Sequence, residues 1–102
     1  METYWSKTAA GTNSGATATQ ASDSSRGWIV TFISGHVDAD SIIKITDGTD
    51  TLWESKVDVS VSGIHFHFDN LTIPVGIGNS AVGNVASSSS DCQVTIGGTS
   101  AP

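Results

Sequence analysis

The chain has 102 residues, which is the size of one small domain. Small residues dominate it: 16 serines, 12 threonines and 11 glycines make up more than a third of the sequence, and charged residues supply only 14%. A net charge of −6 excludes nucleic acid and anionic membranes as main partners, because clustered Lys and Arg bind both. No apolar run approaches the roughly 20 residues needed to cross a bilayer, so we expect no membrane partner.

The first 25 residues differ from the rest of the chain. Between Thr8 and Ser25 there is no large apolar residue, and such a segment buries too little surface to offset the entropy of ordering it. Residues 1–25 are therefore predicted to form a flexible or extended N-terminal arm. Tyr4, Trp5 and Lys7 would anchor this arm on a partner. The alternative is that Tyr4 and Trp5 cover an edge of the domain's own core.

From Arg26 onward the pattern predicts β-structure. Short runs alternate between apolar and polar residues or are rich in β-branched and aromatic ones, and Asp47-Gly48 between two of them is a strong hairpin signal. These runs are residues 27–33, 41–46, 51–56, 57–61, 64–68, 71–73, 80–87 and 92–96.

No segment has a helical period of 3.6 residues. About seven or eight short strands separated by turns predict an all-β fold, an antiparallel sandwich or barrel. We expect one β-sandwich domain over residues 26–98, followed by a frayed tail over residues 99–102. A single cysteine, Cys92, forms no internal disulfide, and with no signal segment in Met1–Trp5 the chain is expected to be made in a cytosol.

The sequence offers little catalytic chemistry. Gly78-Asn79-Ser80 lacks the spacing and the following helix of a nucleophile elbow, so the chain is not expected to be an enzyme, and no cofactor is predicted. His65 and His67 share a strand face, where both imidazoles could reach one zinc or nickel ion and Asp69 could add a carboxylate. A solvent-facing strand is the favoured explanation, because no second cluster supplies the remaining ligands.

A glycan-binding role is a second possibility. Trp53 lies beside Glu54 after the hairpin turn, and an exposed Trp next to acidic groups can stack on a sugar ring. Leu52 and Trp53 compete for the inward face of this strand, so either could be the core residue.

The order of these segments resembles a known group of proteins. The resemblance rests on the strand at residues 28–34, the turn Asp47-Gly48-Thr49, Leu52-Trp53-Glu54, the strand at residues 64–68, Leu71-Thr72-Ile73-Pro74, and the closing segment from Cys92 to Gly98. In this respect residues 26–98 are similar to small structural proteins of tailed bacteriophages, in particular capsid decoration (cement) proteins with a jelly-roll-like β-fold.

The resemblance implies a homotrimer on the capsid exterior, made in the host cytoplasm, that bridges neighbouring capsomers of the major capsid protein. It brings no catalytic residues. Trimer formation also has a physical motive, because a small core without disulfides gains stability from association. The candidates for the trimer interface are Leu52, Trp53, Val57, Val59 and Val61. The alternative function is a glycan-binding or host-recognition module of a phage fibre.

Overall fold

The computed structural model describes residues 3–12, 15–58, 64–86 and 91–101. Every regular element in these ranges is a β-strand, and none of these residues belongs to a helix long and apolar enough to cross a membrane. The strands are β1 (Tyr4–Thr12), β2 (Ala16–Gln20), β3 (Gly27–Val37), β4 (Ser41–Thr46), β5 (Thr51–Val57), β6 (Ile64–Phe68), β7 (Ile73–Val75), β8 (Ala81–Ala86) and β9 (Asp91–Ala101).

The strands form two antiparallel sheets that pack face to face. Sheet A has the order β1-β9-β3-β6, with β7 also paired to β3, and sheet B has the order β2-β8-β4-β5. The chain crosses between the sheets at each step except at the β4–β5 hairpin, which stays in sheet B, and between β6 and β7, which are two halves of one strand along β3. This is the strand order of an eight-stranded jelly roll. The predicted all-β, jelly-roll-like sandwich is confirmed.

The core lies between the two sheets and follows the alternation in the sequence. In β4, Ile43 and Ile45 are fully buried while Lys44 is half-exposed, because successive side chains of a strand point to opposite faces. The same period buries one face of β3, β8 and β9. The largest fully buried side chains are Ile33, Ile43, Ile45, Ile96, Val30, Val37, Val75, Val85 and Val94.

The N-terminal segment corrects the prediction of a separate arm over residues 1–25. β1 pairs with β9 from Tyr4 opposite Thr99 to Thr12 opposite Asp91, and β2 pairs with β8. Ala16 and Ala18 are buried in the core. The prediction treated the lack of large apolar residues as a lack of structure, whereas backbone hydrogen bonds hold these strands and small side chains fill a narrow part of the sandwich.

The predicted frayed tail is also corrected. β9 extends to Ala101, and Ser100 is buried. The backbone N–H of Ser100 donates to the carbonyl of Thr3 at 2.8 Å, and the N–H of Thr3 donates to Oγ of Ser100 at 3.0 Å. These reciprocal bonds tie the last strand to the first. The domain therefore extends beyond both predicted boundaries, before residue 26 and after residue 98.

Candidate functional site

The structure separates the three residues predicted to anchor an arm. Tyr4 is 80% exposed, and Lys7 is exposed on the edge strand β1. Trp5 is half-buried: its Nε1–H donates to the carbonyl of Thr99 at 3.0 Å, and its ring meets Trp28 edge-on with a centroid separation of 5.9 Å. Trp5 thus covers an edge of its own domain, the alternative considered from the sequence, and only Tyr4 and Lys7 face outward.

The candidates for the trimer interface also occupy different environments. A register shift between Ile45 and Thr46 leaves Trp53 opposite the buried Ile45, so Trp53 faces inward and meets Phe68 edge-on at 5.0 Å. Leu52 is 38% exposed. Val57 is buried in the core of its own chain, which removes it from a surface contact. Val59 and Val61 lie outside the described residues.

The two predicted metal ligands lie on the outer face of sheet A with different neighbours. The ring of His65 is 5.8 Å from that of His36 on β3, whereas His67 Nε2 lies 3.6 Å from Oδ2 of Asp69. In the part of the chain that the structure describes, no three His, Cys, Asp or Glu side chains are grouped so that they could hold a metal ion.

Burial makes Cys92 chemically inert. Its side chain is 1% exposed, and its Sγ lies 3.8 Å from the carbonyl oxygen of Gly11. Desolvation in the core raises the pKa of the thiol above its ordinary value of 9.0. Because the thiolate is the reactive form, Cys92 is a packing residue.

One end of the sandwich carries three of the four exposed large apolar side chains found in the described part of the chain. Tyr4 begins β1, Leu52 lies at the start of β5, and Ile77 lies in the turn between β7 and β8. The antiparallel pairings bring these three positions to the same end, because β1, β5 and β8 start there while β7 and β9 finish there. Their exposed fractions are 80%, 38% and 59%. We call Tyr4, Leu52 and Ile77, with the loops 21–26, 47–50 and 76–80, the loop end.

Hydrogen bonds connect the loops of the loop end. The N–H of Gly78 donates to the carbonyl of Asp23 at 2.9 Å, and Trp28 Nε1–H donates to the carbonyl of Ala21 at 3.1 Å. In the same loop the carboxylate of Asp23 accepts the N–H and the hydroxyl of Ser25, both at 2.8 Å. These bonds, chiefly the one from the backbone N–H of Ser25 and then the one from its hydroxyl, lower the pKa of Asp23 below its ordinary value of 3.8.

A cleft opens on the outer face of sheet A, away from the loop end. It is shallow and open to solvent, and its volume of about 590 Å³ falls within the range of roughly 300–1,000 Å³ of small-molecule sites. Its aromatic and polar lining residues are Thr31, Phe32, His67, Asp69, Asn70 and Thr72. Of these, His67 and Asp69 were considered from the sequence as metal ligands.

Two irregularities at the same level of neighbouring strands create this cleft. In β3 the register against β9 shifts between Val30 and Phe32, which leaves Thr31 as an extra residue. Opposite it, the strand made of β6 and β7 is interrupted at residues 69–72, where Asn70 has a φ of 56°. The N–H of Leu71 donates to the carbonyl of Thr31 at 3.0 Å. The interrupted strand therefore provides the hydrogen-bond donor for the carbonyl of the bulged residue.

The bulge turns aromatic surface outward. Val30 and Ile33 are fully buried, so the two residues between them, Thr31 and Phe32, both lie on the outer side. The Phe32 ring lies over Gly97, where any Cβ would collide with it. Its plane is within 24° of the His67 ring, with the centroids 6.4 Å apart. The sequence signals were the broken alternation at Thr31-Phe32 and the turn dipeptide Asp69-Asn70.

Comparisons with known proteins leave the family open. No protein-family model matches the chain, and no curated protein matches it. Among solved structures, the chain is similar to one described as "Bacillus endospore appendages form a novel family of disulfide-linked pili", with 14% identity and a TM-score of 0.34 over 95% of this chain and 88% of that one. It is also similar to one described as "CBM4 structure and function", with 6% identity and a TM-score of 0.33 over 89% of each chain.

Both of these structures are β-rich, and neither description names a phage capsid decoration protein. The described part of the chain is a jelly-roll β-sandwich whose exposed features include a partly apolar end and an aromatic-polar cleft.

Proposed function

We propose that this chain is a structural virion protein, a capsid decoration protein that binds the outside of a phage head as a homotrimer and bridges neighbouring capsomers. The observation that carries the proposal is the loop end, where Tyr4, Leu52 and Ile77 are exposed on a hydrogen-bonded base. Exposed aromatic and aliphatic side chains on a rigid base are suited to tight docking, because little conformational entropy is lost on binding.

The rest of the described chain supports a structural role. Its buried thiol is inert, and its histidines lie on a sheet face without a grouped set of metal ligands. Jelly rolls are common in viral shells and also in lectins, so the fold agrees with this proposal without selecting it. The resemblance in segment order to phage decoration proteins adds to it.

Trimer formation is assigned to the β5 edge of sheet B. In the described part of the chain β5 is the last strand of its sheet, and Leu52 on it is exposed. An unpaired strand edge is prone to associate unless it is covered. In the proposed trimer, a neighbouring copy covers β5 and Leu52, and the other two apolar side chains of the loop end, Tyr4 and Ile77, face the shell.

Shell binding can be tested with heads from a phage mutant that lacks this chain. The purified chain is expected to sediment with these heads, and Tyr4→Ala should reduce its occupancy at least tenfold. Thr17→Ala, which removes an exposed side chain of β2 on the outer face of sheet B, is the matched control and should bind normally. A wild-type chain that stays in the supernatant would contradict the proposal.

The trimer is tested separately by sedimentation equilibrium. We expect three times the chain mass of 10.5 kDa at micromolar concentration, and a single-chain mass for Leu52→Glu. Thr17→Glu adds the same charge elsewhere on sheet B and should leave the trimer intact. A monomeric wild-type chain would rule out the assigned interface.

The alternative function, glycan recognition on Trp53, has less support from its geometry. The ring of Trp53 contacts Phe68 at 5.0 Å and faces the core side of β5. A sugar stacking on that ring would have to displace this contact.

A further inference from the structure

We propose that the cleft between Thr31 and Thr72 on sheet A is a binding site for a neutral pyranose sugar. This site is distinct from Trp53, and the proposal does not depend on shell binding. It rests on three properties of the cleft: its aromatic surface, its polar rim and the way the fold holds both in place.

The aromatic surface suits the apolar face of a sugar ring. The Phe32 ring lies against Gly97, and the His67 ring stands beside it with its plane within 24° of the Phe32 plane. The His67 side chain is 60% exposed, so ring surface is open to solvent. A pyranose presents C–H groups on one face, and these pack on aromatic rings in the way that other apolar groups do.

The polar rim supplies partners for the hydroxyl groups of the sugar. Asp69 offers an acceptor carboxylate, Asn70 an amide that both donates and accepts, and Thr72 a hydroxyl. All three are exposed and lie within one turn of chain. Aromatic surface beside convergent acceptors and donors matches the two-sided chemistry of a sugar, which is apolar on its faces and polar at its edge.

The site is built into the backbone before any ligand arrives. The extra residue Thr31 turns Phe32 outward, the left-handed conformation of Asn70 turns the rim residues around the cleft, and the bond from Leu71 N–H to the carbonyl of Thr31 joins the two. Bulges of this kind often re-aim side chains beside binding sites. Such preorganisation reduces the entropy lost on binding.

Charge selects among possible ligands. The rim carries the carboxylate of Asp69, and the chain has a net charge of −6, which disfavours phosphate-bearing nucleotides and acidic sugars. A neutral hexose is the class that remains compatible with both the stacking surface and the acceptors.

The test is a titration of the full-length, ¹⁵N-labelled chain with the methyl glycosides of glucose, galactose, mannose and N-acetylglucosamine, followed by NMR. At least one glycoside should shift the amide signals of Phe32 and of residues 67–72 saturably, with a Kd in the millimolar range. If none does so at concentrations well above that range, the proposal is wrong.

Matched variants locate the site. His67→Ala and Asp69→Asn should each weaken binding at least tenfold, and His65→Ala should leave it unchanged, because His65 lies on the same strand face outside the cleft and contacts His36. Amide spectra confirm that each variant is folded. Equal weakening by His65→Ala, or shifts centred on Trp53, would overturn the assignment. Tyr4→Ala should leave sugar binding intact, which separates this result from the test of shell docking.

Discussion

Gly98 is a position where the sheet leaves no room for a side chain. A Cβ on Gly98 would overlap the carbonyl oxygen of Ile29 on β3, and a backbone atom cannot move aside as a flexible side chain can. The bulge at Thr31 lies next to this contact. The close approach of β9 to β3 therefore depends on a glycine here.

We predict that Gly98→Ala lowers the free energy of unfolding by at least about 2 kcal/mol, as overpacking in a rigid environment does. Gly76→Ala is the control, because its Cβ would meet only Nδ2 of Asn79 at 3.5 Å and should change stability by less than about 0.5 kcal/mol. Urea denaturation followed by circular dichroism measures both. Equal stability of the two variants would show that β9 can shift.

Asp47 determines how the β4–β5 turn responds to acid. Its carboxylate accepts the backbone N–H of Asp50 at 2.7 Å and of Thr49 at 2.9 Å, and these bonds, that from Asp50 first, hold its pKa below the ordinary value of 3.8. A carboxyl whose pKa is lower in the folded state stabilises the fold above the unfolded-state pKa. That stabilisation is lost as the pH falls through 3.8 and below.

The melting temperature should therefore decrease between about pH 5 and pH 2, and Asp47→Asn should show a smaller decrease, since its side chain no longer titrates. Asp50→Asn removes a charge from the same turn without removing the acceptor of these bonds, and should retain the wild-type decrease. Thermal melts at low ionic strength measure the three proteins. Identical pH dependence of Asp47→Asn and wild type would contradict the assignment.

At the scale of elements, Trp53 and Phe68 close the sandwich between the end strands of the two sheets. Trp53 lies on β5 of sheet B and Phe68 on β6 of sheet A, and their rings meet edge-on. Both pack against the buried core. This contact joins β5 to β6 at the margin of the core.

Trp53→Ala should lower the free energy of unfolding by about 2–4 kcal/mol, the cost of removing a large, partly buried aromatic side chain. Leu52→Ala, the neighbouring exposed residue, should cost less than about 1 kcal/mol when both are measured as monomers. Chemical denaturation followed by circular dichroism provides the comparison. If Leu52→Ala lowered stability more than Trp53→Ala, then Leu52 and not Trp53 would face the core.

The first two strands each form part of a sheet, β1 of sheet A and β2 of sheet B. Removing them should therefore unfold the domain, whereas removing a separate arm would leave it folded. β1 is one of the two edge strands of sheet A, and β2 is one of the two edge strands of sheet B. Deleting residues 1–25 would expose the edges of β9 and β8 and uncover core residues that Trp5, Ala16 and Ala18 now protect.

We predict that a chain lacking residues 1–25 does not fold cooperatively, whereas removal of Met1 and Glu2 alone leaves the melting transition intact. Amide NMR dispersion and circular dichroism measure the outcome. A dispersed spectrum of the shorter chain would restore the interpretation of residues 1–25 as an arm.

The molecule as a whole is held together by contacts between distant parts of the sequence. Tyr4 pairs with Thr99, Gly27 with Ala101 and Ala16 with Val85. Long loops must close before such pairs form, and all-β sandwiches are consequently slow to fold.

Refolding from urea should therefore take milliseconds to seconds, and the burial of Trp28 between the joined termini should be a late event. Stopped-flow fluorescence measures the rate, and the double variant Trp5→Phe/Trp53→Phe isolates the Trp28 signal. Refolding within microseconds would mean that local structure dominates the barrier.

Local sequence patterns were sufficient for the fold class and for much of the core. A few residues were enough to predict a strand or a turn, because strand period and turn geometry are local properties. Examples are the alternation around Ile43 and Ile45, the run from Gly27 to Ile33 and the turn Asp47-Gly48. The same signals placed His67 and Asp69 on an outer face.

Long-range pairing determined the rest. Nothing near Ala16 or Trp5 in the sequence indicates that partners at Val85 and Gly98 will order them. The cleft also depends on two distant irregularities, at Thr31 and Asn70, that meet only when β3 lies beside β6 and β7. Hydrogen bonds between strands are indifferent to side-chain identity, so composition could not reveal them. Only the tertiary structure determined that the first strands are ordered and what shape the candidate site has.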